Sequence, residues 1–330
     1  MILVVSYDED HTLAVMDGLT AAGRDTVRID LADFPAHGTI DLEYPAAGPP
    51  RRALSSPTVD TELADCRVVW WRRVRPFTLD ARLTSPRDQG FAASETGQAM
   101  GGLLHSLDCT WVNPPALDSI AQYKPHQWEA ARRAGLTLPR TLVTNRPERA
   151  LRFIEETGLG RTVFKAFLAG PEAWRETRLV RREDLDHLDT VRHAPVIFQE
   201  FVPGPDLRVT VVGERILAAE IDATATDYPV DMRMVVGESK VRPVTLPPAL
   251  EDRLLTLMRR LGLVYGAIDL RRRPDGEYVF FEVNPGGQWL FVERRTGLPI
   301  TDELVALLTR LDEGGGERRH PAPVTPAGMP

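Results

Sequence analysis

The sequence predicts an α/β layer at its amino-terminal end, followed by a larger part built from strand hairpins and helices. Three patterns carry this. The apolar run Ile2 to Val5 is followed by helix-compatible spacing at Leu13, Met16 and Leu19, and then by a second β-rich run from Val27 to Ile29, a β-α-β opening. Segments 207–212 and 215–221 flank Gly213-Glu214 as a hairpin. A second pair of strand-like segments flanks Pro274-Asp275-Gly276, whose turn residues fold the chain back on itself. With 330 residues, 43% of them hydrophobic, the chain can fill two or three packed lobes.

The remaining elements follow in order. Gly23 closes the first helix, and the stretch His37 to Pro57, rich in Pro, Ala and Gly, reads as a hairpin or loop. Val68 to Trp71 rejoins the sheet. Arg72, Arg73 and Arg75 come directly after it, either as a solvated strand end or as a patch for an acidic peptide or a phosphate. A helix from Gly90 to Leu107 leads to a short strand, Cys109 to Val112, and Asn113-Pro114-Pro115 marks the first domain boundary. Then come a helix over 127–134, a strand over 141–144, a helix over 147–157 and a strand carrying Val163, Phe164 and Lys165. Residues 169–177 lack a periodic apolar face and read as a loop of the kind that covers ligands. Strand character resumes at 196–202 and is broken by Pro203-Gly204-Pro205. A helix from Pro248 to Leu261 precedes the second hairpin, and Asp302 to Leu311 forms the last helix. Beyond Glu313 the Gly/Pro-rich composition predicts a mobile tail.

Composition excludes several classes. A formal net charge of −7 disfavours nucleic-acid binding, because any positive site must be local. Cys66 and Cys109 stand far apart without CxxC spacing, which fits a reducing cytoplasm and offers no zinc framework. The start MILVVSYDED reads as a first strand and not a signal peptide, and no run reaches the length of a membrane span. There is no GxxxxGK[ST], GxSxG or HExxH, and Gly158-Leu159-Gly160 lacks the third glycine of a dinucleotide fingerprint. Catalysis should therefore come from a nucleotide and a metal, without a protein nucleophile.

The second hairpin holds the chemistry. Asp269 lies in GAIDLRRR, and Glu282 and Asn284 lie in VFFEVNPGG; strand alternation sends the latter two to one face. Two carboxylates and an amide oxygen suit a hard cation that bridges phosphates. Pairing of the strands would bring Asp269 opposite that face. Glu282 follows an apolar run, so its carboxylate needs a partner; Asp269 alone also reads as a solvated edge residue. Lys124, just ahead of a proline and a helix, and Lys165, at the end of an apolar strand, are placed to neutralise phosphates. Gln199, Glu200, Phe201 and Val202 end a strand, where backbone groups are open to read an adenine edge, and Asp206 could accept from ribose hydroxyls. Arg208 and Arg233 are the candidate forks for a phosphoryl group and a substrate carboxylate.

The ordered set Lys124, Lys165, QEFVPGPDLRV, GAIDLRRR and FEVNPGG resembles the ATP-grasp superfamily, in which two α+β lobes hold ATP between them. The segments VVWWRRVRP, GLLHSLDCTWVNPP and YKPHQWEAARRAGLTLPRTLVTN, with the DLR and EVN triplets, extend a resemblance to the graspetide synthetases over nearly the whole chain. This resemblance implies an α/β and α+β fold: an N-terminal α/β pre-ATP-grasp domain at 1–115, a central lobe at 116–203 and a C-terminal lobe with the magnesium site at 204–312, ahead of a 313–330 tail. It also implies a reaction in which ATP phosphorylates Asp or Glu side chains of a ribosomal precursor peptide. A Thr or Ser hydroxyl or a Lys amine then attacks, giving an ω-ester or ω-amide ring. Asp269, Glu282 and Asn284 would hold Mg²⁺, and Lys124 and Lys165 the phosphates. Gln199 to Val202 would take the adenine and Asp206 the ribose, while Arg208, Arg233 and Arg271 would stabilise phosphoryl charge. The chain departs from its relatives at Asp231-Met232-Arg233, where they carry a tryptophan between the aspartate and the arginine. The family also leads to an expected homodimer. Two other readings share the ATP site: a ligase that adds an amino acid or amine to a carboxylate, and a nucleotide-binding regulatory module without turnover.

Overall fold

The computed structural model describes residues 1–167, 177–222 and 239–314. Arg233, the Asp231-Met232 pair, the loop expected from 169 to 177 except its last residue, and the tail from 315 onward lie outside the described residues.

The amino-terminal part runs β1 (Ile2–Val5), α1 (Asp10–Ala21), β2 (Thr26–Ile29), β3 (Thr39–Glu43), β4 (Arg51–Ser56), β5 (Val59–Glu62), β6 (Val68–Trp71), α2 (Pro86–His105) and β7 (Thr110–Val112). Four of these strands form a parallel sheet in the order β2-β1-β6-β7. β1 is apolar throughout because both faces of that sheet are covered: Ile2 and Val4 pack with α1, and Leu3 and Val5 with α2. The stretch expected as a hairpin or loop is more regular than its composition suggests. β3, β4 and β5 make a three-stranded antiparallel sheet whose Leu54 joins the α2 core. Its outer residues are exposed, so it shows little of the apolar content that marks a strand in sequence. Cys66 and Cys109, distant in sequence, stand just ahead of β6 and β7 as free thiols, and the Cys66 Sγ donates to the Val68 carbonyl at 3.6 Å.

α3 (Pro115–Ala121) and α4 (Lys124–Arg133) lead into β8 (Thr141–Thr144), α5 (Pro147–Thr157), β9 (Thr162–Lys165), β10 (Arg178–Leu179), α6 (Arg182–Leu185) and β11 (Val196–Glu200). Here the sheet is antiparallel, β10-β9-β11-β8, and α5 covers it with Ala150, Phe153 and Ile154. The last part comprises β12 (Asp206–Val212), β13 (Arg215–Asp222), β14 (Lys240–Val244), α7 (Pro248–Leu261), β15 (Tyr265–Arg272), β16 (Tyr278–Asn284), α8 (Leu290–Thr296) and α9 (Ile300–Asp312). Its antiparallel order is β14-β13-β12-β15-β16. α5 and α7 each start on proline, whose fixed φ suits a first helical residue, and each ends on a glycine with positive φ.

Alternation along β12 and β15 separates two faces. Leu207, Val209, Ile268 and Leu270 point into a core made with α4 and α7. Val212, Leu217 and Tyr265 face the other way and join Ile2, Val4, Val68 and Trp70 of the amino-terminal sheet through the fully buried Trp289. The parallel sheet and the five-stranded sheet therefore share one core. Asn113 pins them together: its Nδ2 donates to the Tyr265 carbonyl at 2.9 Å, and its Oδ1 accepts from the N–H groups of Val264 (2.7 Å) and Tyr265 (2.9 Å). Asn113→Ala strands three backbone groups, at about 1–3 kcal/mol each when buried, so an unfolding loss of about 3 kcal/mol or more is expected. Chemical denaturation checks this, and an unchanged midpoint would refute it.

Candidate active site

The hairpin residues meet on one face of the five-stranded sheet. Register sets Asp269 opposite Glu282 and Ala267 opposite Asn284, while β12 sets Arg208 opposite Asp269. Arg208, Asp269 and Glu282 thus form a row across three strands. β15 is interior to the sheet, so Asp269 is not a solvated edge residue; its side chain is 18% exposed and that of Glu282 26%. A register shift between Asp269 and Leu270 makes Phe281 the extra residue of β16. Its ring reaches the site, 5.6 Å from Lys165 Nζ and 5.6 Å from the Arg271 guanidinium.

Each carboxylate has a cation. Arg208 Nη1 donates to Asp269 Oδ1 at 2.7 Å and Nη2 to the Gln288 carbonyl at 3.2 Å, while its Nε is buried with no partner. Lys124 Nζ donates to Glu282 Oε2. Lys124 was expected ahead of the helix; it is the first residue of α4, since Pro125 is tolerated within the first turn. Asn284 Oδ1 accepts from the Gly286 N–H at 3.0 Å, and an amide oxygen has a second lone pair. Two carboxylates and an amide oxygen on one face fit the hard-oxygen preference of magnesium. Among the described residues no group of three or more His, Cys, Asp or Glu gathers, so no softer metal site competes there.

The central sheet supplies the other candidates. Lys165 Nζ donates to Gln199 Oε1 at 2.9 Å, and Gln199 Nε2 donates to Thr141 Oγ1 at 2.8 Å. β11 stops at Glu200, earlier than expected, yet its pairing continues: the N–H groups of Glu200 and Phe201 donate to the carbonyls of Arg140 (2.9 Å) and Arg161 (2.7 Å). Those two amides are not open to a base, whereas the Val202 N–H meets no acceptor among the described residues. Asp206 and Arg271 come together. The two side chains are buried against each other, with Arg271 Nε to Asp206 Oδ1 at 2.8 Å and Nη2 to Oδ2 at 2.9 Å, while Nη1 donates to the Val202 carbonyl at 3.0 Å. The pair braces β12 against β15, because their strands place the two residues directly opposite.

The three arginines after β6 part company. Arg72 turns inward, its Nε donating to Glu9 Oε1 at 2.6 Å and its guanidinium stacking 4.5 Å from the Trp289 ring. Arg75 pairs with Asp30. Arg73 lines a cleft of about 700 Å³ that also takes in Val74, Asp118 of α3, Gln122 just after it, Lys124 and Glu282. Burial raises the Asp118 carboxyl above its ordinary value. Behind the cleft, burial first and then the charges of Arg72 and Arg73 lower His11 to about 4, and burial pushes the Tyr265 hydroxyl up to about 12. α3 and its cleft residues Pro115, Asp118 and Ser119 were not expected, although Pro114-Pro115 is the helix-start signal that points to them. Nor was Gly287, where a Cβ would overlap Ala267 of β15.

Comparison with known proteins agrees with this architecture. The family described as MvdD pre-ATP grasp domain matches residues 1–119, and that described as RimK-like ATP-grasp domain matches residues 121–308. The chain is similar to the macrocyclase MdnC from Microcystis aeruginosa MRC, solved with its precursor peptide MdnA, with 30% identity, a TM-score of 0.82 and coverage of 94% of this chain and 99% of that one. A RiPP-associated ATP-grasp ligase from Chryseobacterium gregarium, solved with ADP and leader and core peptides, gives 26% identity, a TM-score of 0.84 and coverage of 96% and 98%. The ATP-grasp ligase PsnB, solved with minimal precursor, Mg and ADP, gives 26% identity, a TM-score of 0.76 and coverage of 94% and 98%. A comparison with curated proteins gave no match. A row of paired charges on an antiparallel sheet, a second lysine arriving from a neighbouring lobe and these matches along nearly the whole length together make the chain a member of the RimK-like ATP-grasp ligases, in the group that carries an MvdD-type pre-ATP-grasp domain and includes the graspetide macrocyclases.

Proposed function

We propose that this ligase closes rings in a ribosomally made precursor peptide by activating Asp or Glu side-chain carboxylates at the expense of ATP. The observation that carries the reading is the row Arg208, Asp269 and Glu282, completed by Lys124, whose Glu282 and Lys124 end lines a cleft walled in part by the amino-terminal domain. Relatives of the same domain organisation hold precursor peptides and ADP.

The peptide carboxylate takes the terminal phosphoryl group of ATP, releasing ADP. A Thr or Ser hydroxyl or a Lys amine of the same peptide then displaces phosphate and gives up its proton, so each ring costs the peptide one water. Such chemistry calls for positioning and charge stabilisation, with no covalent help from the protein. Asp269, Glu282 and Asn284 are the residues that would hold Mg²⁺, which when bound screens phosphate charge. Lys124 and Lys165 would bind phosphate oxygens, and the Val202 N–H with its neighbours Gln199, Glu200 and Phe201 would border the adenine. Arg208, whose Nε is buried and unpartnered, would bear on the transferred phosphoryl group; Arg233 is proposed beside it on the family pattern alone. Arg271 and Asp206 would act as positioning residues. We place the enzyme in the cytoplasm, with a peptide as its macromolecular partner and without nucleic acid or membrane; homodimerisation is carried over from the family. No helix of the described residues is long and apolar enough to cross a membrane.

The purified protein, incubated with ATP, Mg²⁺ and the peptide of a neighbouring small reading frame with repeated Thr and Asp/Glu, should lower the peptide mass by one water per ring. A mass gain would indicate addition of an amino acid or amine. Glu282→Gln keeps the size of the side chain and should abolish product while leaving the thermal midpoint close to that of the parent; near-normal turnover would defeat the metal assignment. Arg208→Ala should raise the barrier by about 2.7–4 kcal/mol, roughly 10²–10³ in kcat, as for loss of one charge-stabilising donor. Single-turnover kinetics at saturating peptide reads this out.

A further inference from the structure

We propose that Arg73, contributed by the amino-terminal domain, binds the side-chain carboxylate of the peptide that is to be activated. The assignment rests on the ligase reading above and names which residue selects an acidic acceptor. Arg73 Nε donates to the Gly286 carbonyl at 3.3 Å, and the Gly286 N–H is held by Asn284 Oδ1 at 3.0 Å. A single residue thus separates the guanidinium from a proposed metal ligand. With Nε tied, the two Nη groups project as a fork, and they donate to no other described residue. Arg73 also has no carboxylate partner among the described residues, whereas Arg72 has Glu9, Arg75 has Asp30, Arg208 has Asp269 and Lys124 has Glu282. Its charge is left over on the wall of a cleft it shares with Glu282 and Asn284.

A planar fork with both ends open matches a carboxylate bidentately. Direction along β16 argues for the peptide as the source of that anion. Lys165 approaches the carboxylate pair over Phe281, from the central lobe, whereas Arg73 approaches past Gly286, from the far end of the same strand. Phosphoryl transfer needs donor and acceptor on opposite sides of the phosphorus. With the nucleotide entering by Lys165, the acceptor belongs at the Arg73 end.

The test uses the full chain, its Arg73→Ala and Arg73→Lys variants, the precursor peptide of the neighbouring reading frame, and a copy of that peptide with its acidic ring residues changed to Asn or Gln. Calorimetry without ATP gives Kd for both peptides, and steady-state assays give KM for peptide and for ATP. Arg73→Ala should weaken the acidic peptide roughly ten- to hundredfold in Kd and KM, as for a charge-assisted hydrogen-bonded pair. It should leave the amide peptide's Kd and the KM for ATP as they were. Arg73→Lys should recover part of the loss, since it restores the charge without the fork. Equal preference for the acidic peptide in all three proteins overturns the assignment, and so does a rise in KM for ATP alone, which would make Arg73 a phosphate ligand. If Arg73→Ala fails to fold, Arg73→Lys and the two peptides against the parent protein decide the matter. Absence of dehydrated product with the parent protein removes the ligase reading and this assignment with it; intact product with unchanged peptide KM removes only the assignment.

Discussion

Asp269 and Glu282 face each other across neighbouring strands, and the rest of the site answers to that juxtaposition. Directly opposed side chains on an antiparallel pair stand about 5 Å apart, where two like charges repel by roughly 3 kcal/mol at an effective dielectric of about 20. No fold carries that cost at a half-buried position without compensation. Arg208 from β12 and Lys124 from α4 provide it, one for each carboxylate. The charge that demands two cations in the protein alone is the same charge that makes the pair attractive to a hard divalent ion. A site of this kind is built by bringing together acids that repel and then surrounding them with basic side chains from other segments.

Holding the third oxygen donor requires a stiff backbone beyond β16, and four separate segments supply it. Gln127 of α4 spans Val283, donating to its carbonyl at 2.7 Å and accepting from its N–H at 3.0 Å. The Tyr265 hydroxyl donates to the Gly287 carbonyl at 2.7 Å, and Arg208 reaches the Gln288 carbonyl. From the amino-terminal domain come Arg72, within 3.5 Å of the Gly287 carbonyl, and Arg73 at Gly286. The fully buried Trp289 then anchors the chain in the shared core. The amino-terminal domain is therefore part of the active-site frame, because the buried Arg72 reaches the turn that follows Asn284.

Features set by neighbours in sequence were legible. The bounds of α5 and α7 follow from proline at one end and glycine at the other, and the hairpin from its Pro-Asp-Gly turn. Alternation placed Glu282 and Asn284 on one face, and the partner that a buried carboxylate needs is Lys124, which the sequence had marked only for phosphate. What depended on tertiary register was not legible. Nothing in PDLRV or DLRRR says that Asp206 and Arg271 will lie opposite each other, so two plausible ligand groups were read separately. The Arg72-Arg73-Arg75 run looked uniform, although adjacent positions at a strand end point in different directions. The sheet of β3, β4 and β5 was obscured because it buries little more than Leu54.

Burial divides the basic residues of this site into two kinds of work. Arg271 is 4% exposed, forked onto Asp206 and tied to the Val202 carbonyl, while its neighbours Arg273 and Arg272 reach Glu200 and Glu220 at 2.6 Å each. The contacts to Val202 and Glu200 connect the end of β11 with the five-stranded sheet, so they set the distance between the strand end proposed to border the adenine and the carboxylate pair. Removing one partner of such a buried fork leaves an unpaired charge, and the position is better suited to holding geometry than to meeting a ligand. Lys124, Lys165 and Arg73 are not forked onto a buried carboxylate in this way: Lys124 donates to Glu282, Lys165 to Gln199, and Arg73 through its Nε to the Gly286 carbonyl. Side chains of that kind can give up or extend their contacts to meet phosphate and carboxylate oxygens while the braced arginines keep the frame in place.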